Sequence, residues 1–112
     1  MKIRVSFLSV FFVFGIFFNS VFAQEKIIYP DSYFVFRDNM YNSHSNTIEQ
    51  LEKEYDNLIQ EINNTKSGTE KSLLIASCDY ILGRSYRYFK QNEKAIVYFD
   101  KAIELCKQIL EK

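Results

Sequence analysis

The chain has 112 residues, with 14 basic and 14 acidic side chains and a formal net charge of zero at pH 7. That balance excludes the one-sided positive field by which nucleic-acid-binding proteins are recognised. Aromatic residues make up 17% of the chain, yet seven of its eleven Phe lie in the first 23 residues, so the bulk figure misdescribes the remaining 89.

Those first 23 residues have three parts. Lys2 and Arg4 make a short basic start, VSFLSVFFVFGIFF forms an apolar run, and Asn19 and Ser20 break the run before VFA. The layout predicts a secretory signal peptide, residues 1–23, cleaved after Ala23. It implies a secreted or periplasmic protein with no membrane span after cleavage. An uncleaved anchor is the competing reading, since residues 5–23 approach the roughly 20 apolar residues needed to cross a bilayer. The polar break and the cleavage site argue against it, and no Cys lies near that site to take a lipid. Without Lys2 and Arg4 the mature protein holds 14 − 2 = 12 basic and 14 acidic residues, a charge of −2. A domain this small buries only about 60% of its unfolded surface. It therefore calls for a partner, an oligomer or a crosslink.

Residues 24–44, QEKIIYPDSYFVFRDNMYNSH, are the least legible segment. YFVFR has strand-like composition with no second strand to pair with. Pro30 followed by Tyr33, Phe36 and Met40 also fits a short helix with Pro in its first turn. The expectation is an irregular aromatic arm, with at most a helical turn, laid on the helices behind it.

From Ser45 the periodicity is plain. Ile48, Leu51, Tyr55, Leu58, Ile59 and Ile62 recur at helical spacing and predict a helix over 45–64, capped by Ser45 or Asn46. NNTKSGT, residues 63–69, breaks it, and Ser67 with Glu70 suggests a capping box. A second helix is expected over 69–89, then a tight turn at KQNE, then a third helix over 93–110. The fold class is all-α, an antiparallel array of helices with short connections.

Ile75, Cys78, Leu82, Tyr86 and Phe89 share one stripe of the second helix; Ala95, Phe99, Ala102, Cys106 and Ile109 share one stripe of the third. Gly83 and the alanines remove bulk where two backbones must approach, and Phe99 fills the gap. Leu82, Gly83, Tyr86, Ala95, Phe99 and Ala102 together resemble the tetratricopeptide repeat (TPR) family in identity and spacing, over roughly residues 76–109. The sequence departs from the pattern at Asp79, where the family often has Trp, and at Lys107, where it often has Pro. The second departure suits a terminal unit. The helix at 45–64 lacks the repeat's small and aromatic spacing and reads as a divergent half-repeat that covers what one repeat cannot bury. Residues 49–61 carry five acids and 84–94 four bases, a complementarity that bears on orientation more than on stability.

The resemblance implies that the face of the second helix opposite its core stripe lines a groove for extended or helical peptides. Ser77, Tyr80, Arg84, Arg87 and Tyr88 occupy it. Arg supplies a planar, permanently charged fork for carboxylates, and Tyr adds rigid contact area with a polar tip. The partner expected there is an acidic peptide or the free C-terminus of a protein. The plainer reading is a solvated stripe, or one whose arginines face the acidic preceding helix.

Cys78 and Cys106 lie at similar distances from the turn between the last two helices, so a disulfide closing a loop of about 28 residues is one reading, adding roughly 3–4 kcal/mol. Two reduced, buried thiols are the other. Two cysteines and the distant His44 fall short of a four-ligand metal set. His44 between two serines has no acid to orient it and reads as a solvated loop residue, and NNT at 63–65 is a weak glycosylation motif. No constellation for catalysis or cofactor binding is present in the sequence, so the expectation is a non-enzymatic protein-interaction module. Its rivals are a capping or assembly subunit that oligomerises through the third helix, with Ile96, Val97, Ile103 and Leu110 exposed, and a fragment of a longer repeat protein. A small enzyme remains the least supported class.

Overall fold

The computed structural model describes residues 27–42 and 46–111. Among them lie four helices and no strand: α1 (Asp31–Tyr41), α2 (Ile48–Thr65), α3 (Gly68–Tyr88) and α4 (Asn92–Leu110). The all-α expectation holds. The expected signal peptide, His44 and the proposed cap Ser45 lie outside the described residues.

The main departure is α1, where an irregular arm was expected. Pro30, with φ −61° and ψ 151°, stands at its N-cap, and Asp31 carries negative charge in the first turn. Pro tolerates that position because the first N–H groups of a helix have no intrahelical acceptor. Tyr33, Phe36 and Met40 then recur at helical spacing and are all buried. The helix ends on amides: Asn42 Nδ2 donates to the Asp38 carbonyl at 3.0 Å, and Asn46 Nδ2 to the carbonyls of Asn39 and Asn42. Asn46 therefore closes α1 instead of opening α2. The cap of α2 is Thr47, whose Oγ1 accepts from the Gln50 N–H at 3.1 Å.

Ser67 precedes α3, but its hydroxyl caps no N–H of the first turn, so the expected capping box is not formed. Glu70 is engaged elsewhere: its carboxylate accepts from the Ile28 N–H at 3.0 Å and pairs with Lys66 at 3.5 Å. Gly68 turns the backbone at φ +60°, in the region that favours glycine.

Cross-helix contacts fix the directions. Ser32 pairs with Glu61 and Asn39 with Glu54, each at 2.7 Å, so α1 and α2 run antiparallel. Ile28 meets Glu70 and Tyr33 meets Ser77, so α1 and α3 run parallel. Helices α3 and α4 form the closest pair: a Cβ on Gly83 would stand 2.8 Å from the Phe99 ring and 3.3 Å from the Ala95 carbonyl oxygen. The protein is thus two helical hairpins, α1–α2 and α3–α4, stacked with their first helices side by side, a helical repeat-like fold. The helix read as a lone half-repeat has a partner in α1.

The main core runs through all four helices, from Phe36 and Met40 through Leu51, Leu58 and Ile62 to Leu74, Cys78, Leu82 and Ala95. A second, smaller cluster joins Ala76 to Ala102 and Cys106.

Candidate binding surface

The two parallel helices α1 and α3 determine where the expected groove residues stand. Ser77 is not on the surface. It is 8% exposed, and its hydroxyl shares a 2.6 Å hydrogen bond with the Tyr33 phenol of α1. Its partner comes from 44 positions away, in the segment expected to be irregular. Ser77 is therefore a helix-docking residue and leaves the contact set.

Tyr80 is half-buried, with its ring 5.7 Å from Phe99 of α4. Burial pushes its phenol up, and the Arg84 and Arg87 guanidiniums beside it pull the other way, while Tyr41 of α1 adds to the rise. Those influences place Tyr41, Arg84 and Arg87 each within electrostatic reach of Tyr80. Arg84 is partly exposed, and Arg87 and Tyr88 lie on the surface, Tyr88 at 56% exposure with its ring 5.1 Å from Phe89.

Helix α1 contributes residues that the sequence reading missed. Phe34, Arg37 and Tyr41 recur at helical spacing beside its buried stripe, and the Arg37 guanidinium sits over the Phe34 ring at 5.0 Å. Arg37 also opposes the rise that burial imposes on the Tyr33 and Tyr29 phenols, the latter pushed up to about 12. The surface is therefore built from two helices, with Phe34, Arg37 and Tyr41 on one and Arg84, Arg87 and Tyr88 on the other. The signal for the first set was the same three- and four-residue spacing that marked Tyr33, Phe36 and Met40.

Behind this surface lies a polar set that the sequence did not reveal. Asp79, only 2% exposed, accepts a hydrogen bond from the Tyr55 phenol of α2. Burial raises its carboxyl to about 6, opposed by the Tyr55 hydrogen bond and by Lys101 of α4. Tyr86 donates to Glu52 at 2.5 Å. The Tyr98 ring packs 5.5 Å from both Tyr55 and Tyr86. The departure from the repeat pattern at Asp79 is thus a buried carboxyl that ties α3 to α2.

Cys78 and Cys106 are free and buried. Level along the helices they match, but Cys78 belongs to the main core, while Cys106 packs with Ala76 and Ala102 in the second cluster. Ala76 and Cys78 point about 160° apart on α3 at 100° per residue, so the face that meets Cys106 turns Cys78 away. Of the two readings, the structure has the two free, buried thiols and no disulfide. Burial pushes both thiols up, Cys106 to about 11, which keeps them protonated and unreactive. Among the described residues no group of His, Cys, Asp and Glu is arranged to hold a metal, and no helix is long and apolar enough to cross a membrane.

No protein-family model matches the sequence, and comparison with curated proteins and with solved structures returns no match.

Proposed function

We propose that the protein is a non-catalytic protein-binding module of the TPR type, exported through a cleavable signal peptide, that holds an acidic peptide segment across α1 and α3. One observation carries the reading: Arg37, Arg84 and Arg87 stand with Phe34, Tyr41 and Tyr88 on two parallel neighbouring helices. Forked cations among rigid aromatic surfaces suit carboxylates on an extended or helical peptide, the cations steering and the rings anchoring. The stacked hairpins support the family reading, since in repeat proteins of this kind the first helices of successive units line the binding face.

The test is fluorescence anisotropy with a labelled library of acidic peptides and neutral counterparts in which Asp and Glu become Asn and Gln. Acidic peptides should bind with a Kd that rises steeply with salt. The pair Arg84→Glu with Arg87→Glu should weaken binding at least about tenfold, with the helical circular dichroism unchanged. Equal binding of acidic and neutral peptides, or binding indifferent to the charge reversal, would sink the reading.

A further inference from the structure

Helix α4 turns a second apolar stripe away from α3. Ile96 and Leu110 are 59% and 66% exposed, and Ile103 between them is partly exposed. These three residues fall seven apart, the repeat of a helix–helix seam, and share a band about 40° wide at 100° per residue. One flank of the band carries the exposed residues Asp100 and Lys107, of opposite sign and seven apart. The other flank is Phe99 and Cys106, which lean towards α3.

We propose that this face binds a second copy of the same protein, with the two α4 helices antiparallel about a two-fold axis through Ile103. The charge pattern selects that occupant and direction. In antiparallel helices each flank faces the same flank of its neighbour, so Asp100 comes opposite Lys107 of the second copy, and symmetry repeats the pair. Ile96 then meets Leu110 of the second copy at both ends, and Ile103 meets itself at the centre. A parallel pairing would instead set the Asp100 and Lys107 flank of each copy against the Phe99 and Cys106 flank of the other, leaving both charges without a partner. The other cations of this stretch are occupied within the molecule: Lys101 lies over the Tyr98 ring at 4.4 Å and Lys94 over the Tyr86 ring at 5.5 Å. The seam runs from Ile96 to Leu110, about 21 Å at 1.5 Å per residue, and leaves the α1–α3 surface open on each copy.

Light scattering coupled to size exclusion, on the purified protein in the form the cell accumulates, should find a dimer at micromolar concentration. Ile103→Glu, which sets two carboxylates against each other on the axis, should give a monomer of unchanged helicity. Asp100→Lys should weaken the dimer about tenfold, and adding Lys107→Asp should restore it to within about threefold of the parent. If Ile103→Glu fails to fold, the exposed charge swap decides alone. A parent that stays monomeric at about 100 μM, a dimer that survives Ile103→Glu, or a double swap as weak as Asp100→Lys overturns the proposal.

Discussion

Lys90 holds a backbone conformation that side chains disfavour. Its φ is +61°, and around it the Gln91 N–H bonds to the Tyr86 carbonyl at 2.8 Å and the Lys90 N–H to the Arg87 carbonyl at 3.0 Å. This is the paired closure of a helix C-terminus that glycine usually occupies. Lys90→Gly should therefore stabilise the protein by about 0.5–1 kcal/mol, the relief of left-handed strain outweighing the added freedom of the unfolded state. A urea melt measures it, and a drop in midpoint would refute the strain argument. Gly83 is the opposite case. Alanine there gains helix propensity but must displace the Phe99 ring and crowd the Ala95 backbone, so Gly83→Ala should cost roughly 1–3 kcal/mol in the same assay.

Asp79 gives the stability a pH dependence whose sign is set by burial. Its native carboxyl titrates at about 6 against an ordinary 3.8, so between those values the folded protein keeps a proton that the unfolded one releases. Stability should fall as pH rises from about 4 through 6, by roughly 3 kcal/mol from this group, and level off above. The groups that face it are Tyr55 from α2 and Tyr98 and Lys101 from α4, with Cys78 beside it on α3. Urea melts between pH 5 and 6.5 should show the decline in the parent and lose it in Asp79→Asn.

At the scale of elements, α1 is part of the core and does not merely rest on it. Phe36 is among its fully buried side chains and packs on α2 with its ring 6.3 Å from Tyr55. Phe36→Ala should cost about 3–5 kcal/mol, as for any large core residue, and open α1 to limited proteolysis. An aromatic arm merely resting on a finished domain would lose less than about 1 kcal/mol.

The three longer helices were legible from sequence to within one to three residues, because apolar and charged residues alternate there with helical period and Gly68 punctuates the pattern. Helix α1 was not, because it lacks contrast: Phe34, Val35 and Tyr41 stay exposed around a buried stripe that is itself largely aromatic. The candidate surface shared that fate. Arg84, Arg87 and Tyr88 could be read from α3 alone, whereas Ser77 was misplaced and Arg37 missed because both depend on where α1 docks. The Asp79–Tyr55 pair was hidden for a related reason, since a lone acid in a helical pattern reads as surface until its donor on another helix is known.

At the scale of the molecule, the rings of Phe36, Tyr55, Tyr98 and Tyr86 succeed one another through α1, α2, α4 and α3, with centroids 5.5 to 6.3 Å apart. The protein contains no Trp and eight Tyr, so its near-ultraviolet spectrum is almost wholly tyrosine. Each ring of the series comes from a different helix, and their fixed mutual orientation exists only once all four have docked. Near-ultraviolet circular dichroism therefore reports assembly of the hairpins, while the far-ultraviolet signal reports the helices themselves. In a cooperative melt the two should disappear together. If the near-ultraviolet signal fades first, the hairpins separate while still helical, and the molecule comes apart like a pair of stacked tiles.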